Sequence, residues 1–111
     1  MLPENLTAVV ARNETWTGHS ATEPYECGWA KEAIAFVRAL KAPKGKLPKA
    51  RIEISADGMH WAPEGSSFEL PAALDAVTFQ RVAHFGSFLR VAADVPDGAE
   101  ITVLVTLHLK A

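Results

Sequence analysis

Lys49-Ala50-Arg51-Ile52-Glu53-Ile54-Ser55-Ala56-Asp57-Gly58-Met59-His60-Trp61 is the stretch on which the reading of this chain turns. Arg51, Glu53 and Ser55 alternate with Ile52 and Ile54, the period-two pattern of a strand with one face buried. Asp57-Gly58 supplies the positive backbone angles of a tight hairpin turn. Met59, His60 and Trp61 then read as the start of the return strand, with the indole placed to cap a core. The rest of the chain is read as sheet built around this hairpin.

Toward the C-terminus, Pro63-Glu64-Gly65-Ser66-Ser67 reads as a loop and Phe68-Glu69-Leu70 as a short strand before Pro71. From Leu74 to Ala83 alternation returns, with Val77 and Phe79 opposed to Thr78 and Gln80. His84-Phe85-Gly86 interrupts it, glycine permitting a bulge or close approach. The next run, Phe88 to Ala93, is largely apolar on both faces, as suits a central strand. Pro96-Asp97-Gly98 is a turn signal, since proline presets one position and glycine relieves the next. Ile101, Val103, Val105, Leu107 and Leu109 then alternate with Thr102, Leu104, Thr106, His108 and Lys110, the longest clean strand in the chain.

Toward the N-terminus, Leu6 to Thr17 reads as an opening strand interrupted at Asn13-Glu14 by a bulge or turn, and Gly18 to Pro24 as a polar surface loop. Pro43 to Pro48 is a connecting loop whose lysines are read as a solvated charge run. The segment 30–41 has two readings. Ala30, Ala33, Ile34, Val37 and Leu40 fall at helical spacing, among good helix formers. Yet Ile34, Phe36 and Arg38 against Ala35, Val37 and Ala39 also make two sheet faces, and every neighbouring segment looks like sheet. Strand is preferred, with helix as the alternative. The expectation is an all-β, antiparallel β-sandwich or jelly-roll-like fold of six to eight short strands, one domain over 1–111.

A chain of 111 residues, 49% apolar and 22% charged, has the composition of a globular domain that can bury a core without staples. Its net charge of −2 comes with no basic stripe, which argues against a nucleic-acid partner. The single cysteine, Cys27, permits no internal disulfide and no cysteine-rich zinc site, and reads as a small, partly buried residue. Met-Leu-Pro-Glu-Asn-Leu-Thr lacks a basic region followed by an apolar run, so no secretory signal is expected. No apolar stretch has the length of a membrane span. Synthesis and folding in the cytoplasm are expected.

No glycine-rich phosphate loop, nucleophile elbow or His-Glu-x-x-His helix is present. The four histidines, His19, His60, His84 and His108, are scattered singly, as are the carboxylates. No catalytic, cofactor or metal-binding residue is therefore assigned. Two features remain as candidate contact sites. Trp16, Trp29 and Trp61 either form a platform on which sugars stack or cover core and subunit contacts, the second being favoured. Leu104 is apolar on the nominally exposed face of the last strand, as a subunit contact requires.

The run Leu47 to Trp61, followed by Phe85-Gly86-Ser87-Phe88-Leu89-Arg90-Val91, resembles a recurring pattern. A strand ends in Ser-x-Asp-Gly-x-x-Trp, and a later strand carries aromatic-Gly-x-aromatic-hydrophobic-Arg-hydrophobic. The pattern occurs in small β-sandwich structural proteins of tailed phages and prophages, of head-decoration, head-fibre or tail-associated type. A weaker similarity links the hairpin and the arginine-bearing strand to discoidin-like (F5/8 type C) domains, which bind sugars or lipid headgroups. This chain lacks their terminal cysteine pair. The resemblance covers roughly the C-terminal two-thirds and rests on turn and core residues, so no ligand residue transfers. It implies a non-enzymatic virion component, made in a host cytoplasm and assembled as a homo-oligomer, trimers being common among such proteins, on a larger particle such as a capsid or tail. A carbohydrate-binding module using the surface tryptophans is the alternative.

Overall fold

The computed structural model describes residues 5–111; the reading of residues 1–4 as free of a leader lies outside them. Nine strands follow in order: β1 (Asn5–Trp16), β2 (Gly18–Ala21), β3 (Tyr25–Glu26), β4 (Glu32–Ala39), β5 (Lys49–Ser55), β6 (Ala62–Glu69), β7 (Val77–Ala83), β8 (Phe88–Val95) and β9 (Ile101–Lys110). They form two antiparallel sheets. One has the order β1-β9-β4-β7; the other runs β2-β8-β5-β6, with β3 also on β8. The expected all-β sandwich is what the chain adopts. Its strand count exceeds eight because a single edge strand along β8 is split. Thr22 continues the β2 register by donating its backbone N–H to Val91 O (2.9 Å), and β3 resumes one residue out of step.

The segment left between helix and strand is β4. Its alternate residues Ala33, Ala35, Val37 and Ala39 are buried, while Ile34 and Phe36 are half-buried on the other face. Helical spacing arose here because a strand with small residues inside and large ones outside has apolar residues at nearly every position. β9, central between β1 and β4, turns Ile101, Val103, Val105, Leu107 and Leu109 inward, each essentially fully buried. From the other sheet, Ala50, Ile52, Leu89, Val91 and Ala93 face them across the core. Packing between two inner faces about 10 Å apart thus accounts for the apolar half of every alternating strand.

Three local expectations are corrected. Gly18–Pro24 is not all loop, because Gly18 (φ 66°) turns the chain out of β1 and His19, Ser20 and Ala21 pair with β8. Their polarity reflects an edge position, not absence of structure. Pro63–Ser67 lies inside β6, which among the described residues pairs only with β5. A proline without an N–H and a glycine at φ 114° are tolerated on such an edge, and the register shift opposite Arg51 and Glu53 absorbs them as a bulge. Met59-His60-Trp61 does not begin the return strand; β6 begins at Ala62, so β5 and β6 are joined by a loop over 56–61.

The bulge expected at Asn13-Glu14 is present, with Asn13 at φ 54° and register shifts on either side of Ala11. At the Pro96-Asp97-Gly98 turn, Ala99 N–H donates to Pro96 O (3.0 Å) and Gly98 sits at φ 85°. Gly45 (φ 73°) is required twice over, because a Cβ there would lie 2.8 Å from both Ala99 Cα and Gly98 O. Among the described residues no helix is long and apolar enough to cross a membrane.

Candidate functional site

The outer faces of the two sheets differ in chemistry, and that difference defines the candidate site. On the β1-β9-β4-β7 sheet, cross-strand register builds three rows. Thr7, His108, Ile34 and Arg81 form one; Val9, Thr106, Phe36 and Phe79 the second; Leu104, Arg38 and Val77 the third. The middle and third rows are mainly apolar, yet Phe79, Val77 and Val9 remain 47%, 53% and 43% exposed. Phe36 and Phe79 meet with ring centroids 6.0 Å apart, and the Arg81 guanidinium lies 5.1 Å from the Phe79 centroid. Leu104, singled out from the sequence, belongs to this face and is only partly covered by its neighbours. Beside the first row, Glu32, Ile34, Arg81, His108 and Lys110 line a depression of about 400 Å³.

The outer face of the other sheet carries a chain of ion pairs instead. His19 Nδ1 lies 2.6 Å from Asp94 Oδ1, and Asp94 Oδ2 accepts from Arg51 (2.9 Å). Arg51 Nε–H donates to Glu53 Oε2 (2.9 Å), while Arg90 donates to Glu53 Oε1 from Nε (2.7 Å) and from its terminal nitrogen (2.6 Å). The Arg90 guanidinium then stacks 4.2 Å from the Trp61 ring centroid. Burial by itself would raise the Glu53 pKa; the hydrogen bonds from Arg51 and Arg90 outweigh it and hold the carboxylate below its ordinary value. For Asp94 the hydrogen bond from His19, then that from Arg51, has the same effect.

Asp57 organises the loop after β5. Its Oδ1 accepts the backbone N–H groups of Met59 and His60 (2.9 Å each), and its Oδ2 lies 2.7 Å from His60 Nδ1. These bonds, that from the His60 backbone first, hold the Asp57 carboxyl far below the usual range, and in return Asp57 raises the His60 pKa. Ser55 Oγ donates to Asp57 Oδ1 (2.9 Å) and accepts from the Gly58 N–H (2.8 Å). The carboxylate stands between hydroxyl and imidazole, so the histidine is not oriented to take the serine proton. This cluster closes a loop.

The three tryptophans do not make a platform. Trp16 is buried in the core at the level of Ile101, where its indole N–H donates to Glu14 Oε1 (3.3 Å). Trp29 is exposed in the turn before Lys31, whose N–H donates to Lys110 O at the far end of β9. The ten residues from Ile101 to Lys110 set those two positions about 30 Å apart along the strand. Trp61 lies at the Trp29 end, beside a groove of about 330 Å³ lined by Ile54, Ala56, His60, Ala62 and Ser87. Cys27 is fully buried, and burial followed by the nearby Glu26 charge pushes its thiol up to about 11.

Leu104 and Trp61 stand out in the sequence, but the surfaces they belong to do not. The i, i+2 pair Arg51 and Glu53 was visible; that Arg90 and Asp94 stand opposite follows only from the pairing of β5 with β8.

No protein-family model matches the chain, and no curated protein matches it by sequence. Several solved structures share its fold. The SPBc2 prophage-derived protein YomS is 10% identical with a TM-score of 0.59, over 100% of this chain and 96% of that one. A Bacillus structure described as endospore appendages that form a family of disulfide-linked pili is 8% identical with a TM-score of 0.52, over 98% and 90%. CpGH89CBM32-5 from Clostridium perfringens, solved with GalNAc-β-1,3-galactose, is 12% identical with a TM-score of 0.50, over 93% and 94%. The resemblance to a prophage β-sandwich, and the weaker one to a discoidin-like domain, are thus both present at the level of fold.

Proposed function

We propose that this chain is a non-enzymatic structural protein that assembles with copies of itself on a larger particle, a phage-type capsid or tail, as a decoration, fibre or tail-associated component. The observation that carries this reading is the exposed apolar face formed by Phe79, Val77, Val9, Phe36 and Leu104. A sandwich that functions alone gains nothing by exposing phenylalanine and valine in register on a flat sheet, whereas an assembling subunit covers them. The strand order supports the same reading. With β2 and β3 taken as one strand, β1-β9-β4-β7 over β2-β8-β5-β6 runs as in an eight-stranded jelly roll, an architecture of viral capsid and lectin domains. Likeness in fold to a prophage-derived protein and to an appendage pilin agrees with it. Unlike disulfide-linked pili, assembly here is non-covalent, because Cys27 is buried and its thiol is raised.

The test is light scattering on purified protein together with co-sedimentation with phage particles from the same genome. Self-association or particle binding is expected; a strictly monomeric protein that binds no particle overturns the reading.

A second reading is glycan binding at the end of the sandwich that carries Trp29 and Trp61, where His60 and Ala62, the neighbours of Trp61, line a groove. The fold likeness to a domain solved with a disaccharide favours testing it. A glycan array probed with the wild type and with Trp29→Ala and Trp61→Ala decides it. Trp16, being buried, is not part of such a site.

A further inference from the structure

Resting on the assembly reading above, we infer that the partner of the apolar face is a second copy of this chain, packed sheet against sheet about a two-fold axis. The axis runs across the strands at the level of Thr78, Val37 and Val105, which are register partners on β7, β4 and β9. Three observations lead there.

The first is that the sandwich prepares only one of its two outer faces for water. The β2-β8-β5-β6 face is covered by the continuous ion-pair chain from His19 to Arg90. Of the seven exposed large hydrophobics among the described residues, none is on a strand of that sheet; Val9, Val77 and Phe79 are on strands of the opposite one and Leu74 precedes β7. The face that needs a partner is therefore identified by contrast within one molecule.

The second is charge self-complementarity. Arg81, like Arg12 and several lysines, has no carboxylate partner among the described residues, whereas the guanidiniums of Arg38, Arg51 and Arg90 do. Asp75 binds Arg38 through Oδ1 alone (2.9 Å) and is 61% exposed, so its second oxygen faces solvent. On β7 and the turn before it, Arg81 and Asp75 lie three residues either side of Thr78. A two-fold at Thr78 carries each onto the other: Arg81 of one copy meets Asp75 of its partner, and Asp75 is then held by two guanidiniums, as Glu53 is on the other face. The same operation sets Phe79 against Val77 of the partner and Thr106 against Leu104 of the partner. Aligned sheets cross at about 30°, which displaces residues about 10 Å from the axis by about 5 Å, within the reach of an arginine.

The third is area. Four strands at about 4.8 Å spacing and eight residues at about 3.4 Å give a footprint of about 19 by 27 Å, roughly 500 Å² before side-chain relief. With that relief the face approaches the roughly 800 Å² per partner of a standard stable interface. An isologous contact of this kind closes at two copies and leaves the ion-paired faces outward.

The experiment has two arms. Sedimentation velocity across a concentration series is expected to show a species of twice the 12.0 kDa chain mass. Phe79→Glu, at an exposed position, is expected to weaken the dimer by at least about 30-fold while leaving the circular dichroism spectrum and Tm of the monomer intact. In the second arm, separately prepared Val77→Cys and Phe79→Cys proteins are mixed and mildly oxidised; buried Cys27 does not compete. The mixture is expected to cross-link faster than either variant alone.

A protein monomeric at every concentration overturns this inference, and if it still binds particles the assembly reading survives. Self-association indifferent to Phe79→Glu overturns the inference alone, because another surface then carries assembly. Preferred cross-linking of Val9→Cys with Phe79→Cys instead overturns the two-fold, because those residues meet only when the axis runs along the strands.

Discussion

Replacing Glu53 by glutamine tests whether the ion-pair chain stabilises this sandwich or merely decorates it. The Glu53 side chain is 10% exposed and receives Arg51 on one oxygen and Arg90 on the other; those arginines are 27% and 18% exposed. Removing one partner from a buried pair typically costs about 3–5 kcal/mol, because the other charge is left desolvated and unpaired. Here Arg51 keeps Asp94, and the glutamine oxygen still accepts one hydrogen bond, so the expected loss for Glu53→Gln is about 2–4 kcal/mol. For a domain of this size that corresponds to a drop in Tm of about 10–20 °C. The pH dependence supplies a signature that packing loss would not. The folded pKa of Glu53 is depressed below the 4.5 of the free group, so its contribution is fully present above pH 4.5 and lost as pH falls through the folded value. The gap between wild type and Glu53→Gln should therefore be constant from pH 7 to about 5 and close below 4.5. Thermal or urea unfolding followed by circular dichroism between pH 3 and 7 measures both quantities. A loss under about 0.5 kcal/mol, or a gap that does not narrow at all between pH 4.5 and 3, refutes the reasoning.

Leu107→Ala, which empties a fully buried site on the central strand of its sheet, is expected to cost about 2–5 kcal/mol in urea unfolding. His60 should titrate above 6.5 by NMR because Asp57 holds its protonated form, and Asp57→Asn should return the midpoint toward that value. That interaction favours the folded loop below pH 6.5 and fades as pH rises through the folded His60 pKa. Cys27 should resist a thiol reagent at pH 8 in the native protein and react at once in denaturant; rapid native labelling would contradict its burial.

The inner half of the fold was legible because burial writes itself as period two. Ile52 and Ile54, Val103 to Leu109, and Leu89 with Val91 all declare one face, and Pro96-Asp97-Gly98 declares its turn. The edge strands of the β2-β8-β5-β6 sheet were not legible. Gly18–Ala21 and Ala62–Glu69 are polar, or carry proline and glycine, because each is paired on one side only, and that is a property of neighbours rather than of composition. The surfaces were half legible for a related reason. Leu104 announced itself as an apolar residue in a polar row, but Phe36 and Phe79 come together only through the β4–β7 register, and Glu53 meets Arg90 only through that of β5 and β8. Such partners are 37 or more residues apart in the chain, and pairing, not spacing, decides which residues share a face.

Placing these two surfaces on opposite sides of one core has a consequence for how the molecule can change. Glu53, Arg51 and Arg90 are satisfied within the chain, so the ion-paired face contributes to folding and asks nothing of a partner. Phe79, Val77 and Val9 contribute less to folding, because about half of each is already in water in the single chain. Substitutions there can alter assembly without unfolding the subunit. The inner faces of the two sheets are about 10 Å apart, so residues on the two outer faces share no partner and their effects should add. Glu53→Gln combined with Phe79→Glu should therefore lose the stability of the first and the association of the second, with coupling below about 0.5 kcal/mol. A larger coupling would mean that the core transmits strain between its faces, and folding and assembly would then be one property of this chain rather than two.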